Sequence, residues 1–229
     1  MDFKRSILLI IIIAVAVVYI ADITGLFIKP GVPETNTSRV LAAVEVKNYQ
    51  GERLSSITDF RENSIKGPQH VNISNYRLEI GGLVTTPTNL TYNEVKEFPD
   101  YQKVVTLHCV EGWDATILWQ GIKVEDLLKK TGVGADANTV IFYASDGYST
   151  SLPLDYIEKN DIILAYGMNN VTLPEDRGYP FQLLAEDKWG YKWIKWVTKI
   201  EVSNDPSYRG YWEQRGYSIG GDTSGSFFA

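Results

Sequence analysis

The sequence predicts an α+β fold, a compact mixed-sheet domain that follows an N-terminal hydrophobic helix. Segments rich in β-branched and aromatic residues dominate residues 54–203, whereas helical segments are short and few. Strands and helices do not alternate regularly, which argues against a parallel, doubly wound sheet. Ahead of this domain, an unbroken apolar run covers residues 7–21.

Residues 1–28 have the pattern of a signal anchor, a transmembrane segment that is not cleaved. Lys4 and Arg5 precede the apolar run, which favours an orientation with the N-terminus inside. The run reaches a spanning length if it extends to Ile28, and residues 19–21 match a cleavage site poorly. We therefore expect the chain at the extracytoplasmic face of the cell membrane, with export after signal cleavage as the alternative.

The remainder of the chain divides into three parts by composition. Residues 29–53 have Pro30, Gly31 and Pro33 near their start and then small polar residues, which predicts a linker. Residues 54–203 carry the periodic hydrophobic patterns and form the predicted domain. Residues 204–229 are rich in aromatic residues and glycine and are predicted to be a tail that wraps the domain.

Two segments of the domain have helical patterns. Thr91 and Glu94 form a predicted capping box at the start of a helix over residues 91–97. A second helix over residues 122–130 is predicted to stop at Gly132. Alternating or β-rich patterns predict strands at residues 76–80, 102–109, 115–121, 139–143, 149–152, 162–165, 180–184 and 194–202.

Composition and motifs exclude several function classes. The formal net charge of −6 disfavours nucleic-acid binding, because phosphate contacts need a basic surface. The sequence has no Gly-x-Gly-x-x-Gly motif after a strand, no Walker loop and no His-Glu-x-x-His motif. Its only cysteine, Cys109, excludes an intramolecular disulfide and leaves one thiol to be explained.

Cys109 is predicted at the point where a strand ends and a loop begins. The thiol has three interpretations: a small buried apolar residue, a nucleophile, or a soft metal ligand. A nucleophile needs a histidine base, and the sequence offers only His70 and His108. Because neighbours on a strand point to opposite faces, His108 is a poor candidate. One thiolate does not make a closed zinc site, but it suffices where a cofactor supplies the other ligands.

A series of ordered motifs around this cysteine resembles the sulfite oxidase superfamily, whose members carry an oxidoreductase molybdopterin-binding domain. The similarity is strongest to the stand-alone bacterial and archaeal members and covers residues 54–203. It is carried by Cys109-Val110-Glu111-Gly112-Trp113, Trp119-Gln120-Gly121, Asp126-Leu127-Leu128, Asp146-Gly147-Tyr148, Leu173-Pro174, Arg177-Gly178-Tyr179-Pro180, Trp189-Gly190-Tyr191-Lys192 and Lys195-Trp196, with Phe60-Arg61-Glu62-Asn63-Ser64 upstream.

The resemblance implies a molybdenum oxidoreductase. Its expected cofactor is one molybdenum (or, as an analogue, tungsten) chelated by the dithiolene of molybdopterin, with the Cys109 thiolate as the protein's metal ligand. The expected reaction is two-electron oxygen-atom transfer on a small oxo-anion or an S- or N-oxide. The sequence has no c-type haem motif, so electrons are expected to pass to or from a separate haem-linked or quinone-linked protein.

Other residues are candidates on less specific patterns. Glu111 could handle protons beside the metal, or be a surface carboxylate. Close backbone approach at Gly190 and Tyr191 together with the charge of Lys192 suits a cofactor phosphate, and an ordinary solvated lysine is equally compatible. The remaining candidate cofactor contacts are Asn63, Ser145 and Arg177, each of which is also compatible with a plain turn or surface role.

The sequence also departs from the family pattern. Gln182 stands where many relatives have an arginine, and Trp113-Asp114 stand where sulfite oxidases have a sulfite-binding arginine. Lys4-Arg5 replaces the twin arginine of many exported members. The first departure keeps open a second hypothesis, a non-catalytic binding module that retains the fold but has lost the cofactor.

Overall fold

The computed structural model describes residues 36–229. The predicted signal anchor at residues 1–28 and the first part of the predicted linker lie outside these residues. Within residues 36–229, no helix has the length and hydrophobicity needed to span a membrane.

The described residues contain four short α-helices and twelve strands, mostly short. The helices are α1 (Asn36–Ala42), α2 (Tyr92–Lys96), α3 (Val124–Thr131) and α4 (Leu154–Lys159). The strands are β1 (Asn48–Tyr49), β2 (Glu52–Arg53), β3 (Leu78–Gly82), β4 (Thr88–Leu90), β5 (Tyr101–His108), β6 (Asp114–Lys123), β7 (Thr139–Ala144), β8 (Ser149–Pro153), β9 (Ile163–Met168), β10 (Val171–Thr172), β11 (Gln182–Leu183) and β12 (Val197–Ser203).

Two five-stranded sheets carry the core, which confirms the predicted mixed-sheet fold. The first sheet has the order β10-β9-β6-β5, with β11 also paired to β9, and all its pairs are antiparallel. The second has the order β4-β3-β12-β7-β8, in which β12 runs parallel to β3 and antiparallel to β7. Buried aliphatic and aromatic residues from both sheets form one hydrophobic cluster.

The capping box at the start of α2 is present as predicted. Thr91 Oγ1 accepts from the backbone N–H of Glu94, and the Glu94 carboxylate accepts from the backbone N–H of Thr91. These two bonds satisfy backbone donors that the first turn of a helix leaves unpaired.

The strand predicted at residues 194–202 is shorter in the structure. It begins at Val197, because Trp196 has a left-handed backbone conformation with φ of 53°. Trp196 is nevertheless buried, and its indole Nε1 donates to the carbonyl oxygen of Glu175 at 2.6 Å. The bend directs the segment before β12 toward the cavity described below.

The segment predicted as a linker is folded against the domain from residue 36 onward. Glu45 is buried, and its carboxylate accepts from Ser56 Oγ, the Ile57 backbone N–H and Asn169 Nδ2. The hydroxyl of Ser38 donates to Asp176 at 2.6 Å. A buried carboxylate with several donors needs a fixed position, so this part of the chain cannot behave as a free linker.

Candidate active site

A cavity of about 420 Å³ lies where the turn after β5, the loop before β3 and the C-terminal segment meet. Its size is within the range of small-molecule and cofactor pockets, roughly 300–1,000 Å³. Of the residues that the sequence proposed for the site, the cavity is lined by Asn63, Cys109, Glu111, Arg177, Gly190 and Tyr191. Residues from distant parts of the chain thus converge on one space.

Cys109 occupies the first position after β5, as the sequence predicted. The turn is closed by the Cys109 N–H to the Trp113 carbonyl at 2.9 Å and by the Gly112 N–H to the Cys109 carbonyl at 3.0 Å. The thiol Sγ accepts from Asn63 Nδ2 and from the Glu111 backbone N–H, each at 3.5 Å. Burial raises the pKa of the Cys109 thiol, and the Glu111 N–H opposes this shift.

Neither histidine serves Cys109 as a base. His108 Nδ1 lies 2.7 Å from an Asp114 carboxylate oxygen, and His70 Nδ1 lies 2.6 Å from a Glu175 carboxylate oxygen. Neither ring lines the cavity. The nucleophile interpretation of Cys109 therefore lacks its base among the described residues.

Two cations hold the loop that presents Asn63. Arg177 is buried, donating from Nε to the Ile57 carbonyl at 2.9 Å and from Nη2 to the Phe60 carbonyl at 2.8 Å. Lys195 Nζ donates to the carboxylate of Glu62, the residue before Asn63. Because Asn63 itself stays exposed to the cavity, these contacts fix its backbone while its amide remains accessible.

The rim beside Cys109 combines charge and aromatic surface. The Glu111 carboxylate accepts from Trp113 Nε1 at 3.3 Å and lies 3.9 Å from Arg61 Nη1. Both partners of this loose ion pair are about half exposed, at 52% and 46% of their side-chain surface. The rings of Phe60 and Trp113 pack with centroids 5.6 Å apart. A polar group that enters the cavity thus meets a cation and a carboxylate.

The turn Gly190–Lys192 runs along the cavity from Cys109. A Cβ on Gly190 would lie 3.3 Å from the His108 carbonyl and 3.6 Å from Cys109 Cα, so a larger residue would push the turn away. The Tyr191 carbonyl accepts from the Tyr148 hydroxyl. Close backbone approach at this turn agrees with the predicted environment of a cofactor.

Lys192 and Ser145, two predicted cofactor contacts, lie outside the cavity lining. Lys192 is fully buried, and its Nζ donates to Glu213 Oε1 at 2.7 Å and to the Ile219 carbonyl at 2.9 Å. Burial lowers the pKa of the Lys192 ammonium, and Glu213 opposes this. Ser145 is exposed, and neither residue lines the cavity. The neighbours Asp146 and Tyr148 line it instead.

Sequence reasoning missed several cavity residues. Glu62 and Lys195 line the cavity; both fall within motifs that carry the resemblance, but the sequence gives no sign that these distant residues pair with each other. Trp212 and Tyr217 also line it, although they belong to the segment predicted only as a tail. The abundance of aromatic residues after residue 204 was the available signal.

The metal-binding potential of the cavity rests on one thiol. Among residues 36–229, no group of three or more histidine, cysteine, aspartate or glutamate side chains is arranged to hold a metal ion. A lone soft thiolate therefore fits a metal whose remaining ligands come with a cofactor. The adjoining cavity provides the volume for such a group.

If Cys109 holds the metal that the sequence resemblance implies, Asn63→Ala is expected to reduce turnover by about 10- to 100-fold while the metal is retained, because the amide contacts the sulfur without being a metal ligand. The measurement is steady-state kinetics beside molybdenum content. The matched control is Asn89→Ala, since Asn89 is exposed on β4 and outside the cavity. If both variants turned over substrate equally fast, the Asn63 contact with Cys109 Sγ would have no effect on catalysis.

Comparison with known proteins agrees with this chemistry. The family model described as oxidoreductase molybdopterin-binding domain matches residues 65–212. The uncharacterised oxidoreductase YuiH of Bacillus subtilis is 33% identical over 156 residues, which cover 68% of this chain and 78% of that protein. The protein-methionine-sulfoxide reductase catalytic subunit MsrP of Campylobacter jejuni is 25% identical over 165 residues, covering 65% of this chain and 55% of that protein.

A solved structure shares the fold. The sulfane dehydrogenase SoxCD from Paracoccus pantotrophus superposes with a TM-score of 0.58 at 22% identity, covering 70% of this chain and 44% of that chain. The chain thus spans less than half of this solved chain and about half of the reductase subunit. At this identity the structural likeness establishes the fold alone.

Proposed function

The chain belongs to the oxidoreductase molybdopterin-binding domain family, and from that premise we propose that it catalyses two-electron oxygen-atom transfer on a small oxo-anion or an S- or N-oxide. Its cofactor is molybdenum bound to molybdopterin. The observation that carries the proposal is Cys109, a single thiol that opens into a cofactor-sized cavity. When bound, the cofactor supplies the two-electron redox chemistry and the protein binds and orients the reactants.

The residues around Cys109 have separable tasks. The Cys109 thiolate would hold the metal as the protein's ligand. The Asn63 amide and the Glu111 N–H donate to its sulfur and fix its orientation. Hydrogen bonds to a ligating sulfur also withdraw electron density and so tune the redox potential.

We assign substrate binding to the rim residues Arg61, Phe60 and Trp113. Arg61 brings a positive charge to the cavity from the loop before Asn63, which partly offsets the absence of an arginine at residues 113–114. A guanidinium binds the oxygens of an oxo-anion or the polarised oxygen of an S-oxide. Phe60 and Trp113 offer apolar surface to the substituents of a sulfoxide.

Proton transfer falls to Glu111. Reduction of an S-oxide to the thioether consumes two electrons and two protons and releases water, and sulfite oxidation releases two protons. Glu111 lines the cavity and is half exposed, so its carboxylate is able to exchange protons with solvent and with a reacting oxygen.

We propose that electrons pass to or from a second protein, since the given sequence shows no c-type haem motif. We propose a haem-linked or quinone-linked partner at the extracytoplasmic face of the membrane, reached through the apolar N-terminal run. Purification from detergent-solubilised membranes tests both points. Recovery of the chain in the soluble fraction without any redox partner would count against them.

The first test of the enzymatic function is elemental analysis of the full chain made in a host that synthesises the cofactor. We expect about one molybdenum per chain, together with turnover of methionine sulfoxide or an N-oxide by a reduced viologen dye, or of sulfite by ferricyanide. Folded protein without metal would instead support the non-catalytic binding module.

Gln182 is the observation that favours that second candidate. It lines the cavity at the position where the family pattern has an arginine in many members. Lys195, however, lies on the same side: a Cβ on Gly178 would contact the Lys195 and Gln182 side chains at 3.0 and 3.2 Å. The contact is made by the aliphatic stem of Lys195, whose ammonium donates to the Glu62 carboxylate. Molybdenum content therefore decides between the two candidates.

A further inference from the structure

The C-terminal segment, residues 204–229, contributes directly to the cavity. Trp212 and Tyr217 line it, although Tyr217 lies beyond the region that the family model matches. The Tyr217 ring packs 5.1 Å from the ring of Trp212 and 5.1 Å from that of Tyr191. These rings form a continuous aromatic wall along the turn that begins beside Cys109.

This aromatic wall is fixed to the turn by polar contacts. The buried Lys192–Glu213 ion pair joins the turn to the segment, and Thr150 Oγ1 donates to the same Glu213 oxygen at 2.7 Å. The Tyr191 hydroxyl donates to the Ser218 carbonyl at 2.8 Å. The wall therefore has a set position rather than that of a loose tail.

The cavity is lined both by Cys109 and by the aromatic wall, so a group bound at the thiol can reach the wall. Gly190 packs on Cys109, and Tyr191, the next residue, packs on Tyr217. A large group that coordinates through Cys109 must extend from the thiol through the remaining volume of the cavity. Flat heteroaromatic rings are bound well by aromatic side chains, which offer large contact area and favourable stacking or edge contacts.

We propose that Trp212 and Tyr217 bind the planar pterin part of the cofactor, so that the C-terminal segment is a wall of the cofactor site. This inference rests on the proposed function, because it needs a chain that carries the cofactor. It assigns to Lys192 and Glu213 the task of holding the wall, and to the two rings the direct contact.

The test uses the cofactor-loaded full chain and measures how fast molybdopterin is lost after dilution, from released pterin fluorescence and from molybdenum per chain. Trp212→Leu and Tyr217→Leu are each expected to release it about tenfold faster. Tyr217→Phe keeps the ring and is expected to release it at the wild-type rate.

Tyr208→Leu is the matched control. Tyr208 is a partly buried tyrosine of the same segment whose ring packs on Tyr143, outside the cavity. It is expected to leave release unchanged. Folded Trp212→Leu and Tyr217→Leu proteins that retain the cofactor as the control does would overturn the proposal.

Hydrogen exchange of the wild-type chain provides a test that needs no variant. Amides of residues 210–221 are expected to exchange more slowly in the loaded than in the cofactor-free protein, because a bound ring system stabilises the wall. Identical exchange would overturn the inference. A wild-type chain that never acquires molybdenum would overturn the proposed function instead, so the two failures are distinguishable.

Discussion

Replacing Cys109 with serine is expected to abolish oxygen-atom transfer and to weaken the binding of molybdenum. The serine hydroxyl stays protonated near neutral pH and is a hard oxygen donor, so it does not replace a soft thiolate. The loss should exceed the roughly 10- to 100-fold effect of removing a group that only orients a ligand. Steady-state kinetics and molybdenum per chain are the measurements.

The control for this change is Ser145→Ala. Ser145 was a candidate cofactor contact, but it is exposed and lies outside the cavity lining. It is therefore expected to keep wild-type metal content and turnover. If Cys109→Ser behaved like Ser145→Ala in activity and only lowered the melting temperature, Cys109 would be a packing residue and the enzyme hypothesis would fail.

Lys192→Met is expected to destabilise the cofactor-free chain by about 3–5 kcal/mol, because it leaves the Glu213 carboxylate buried without its cation. Both side chains of this pair are fully buried. Urea unfolding of the cofactor-free protein is the measurement. If Lys192 served only to bind a cofactor phosphate, replacing it would change the stability of the cofactor-free protein little. The experiment therefore separates the two interpretations of Lys192.

Two further variants complete the Lys192 experiment. The double change Lys192→Met with Glu213→Leu removes both charges and is expected to recover most of the lost stability. Asp155→Asn removes one partner of the exposed Lys159–Asp155 pair and is expected to have no measurable effect. An unaltered unfolding midpoint in the single Lys192 variant would contradict the structural assignment of this ion pair.

Features that depend on neighbouring residues were predictable from the sequence. The Thr91–Glu94 capping box and the position of Cys109 after β5 are set by residues a few positions apart. Eight of the strands were found for the same reason, although the pattern at residues 194–202 concealed the left-handed conformation of Trp196. The strands β1, β2, β4 and β10, of two or three residues each, and the helices α1 and α4 were not predicted, because they are too short to show a periodic pattern. A hydrophobic alternation reports which residues are buried, not whether the backbone between them is extended.

The sequence by itself determined most of the longer elements, the mixed-sheet fold class and the one thiol that can bind a metal. Only the tertiary structure decided the directions of side chains outside regular elements. It turned Lys192 into the interior toward Glu213, left Lys195 beside Glu62 at the cavity, and brought Tyr217 onto its wall. The physical reason is that a charged side chain on an irregular turn goes where its desolvation is compensated, and the compensating partners lie far away in the chain.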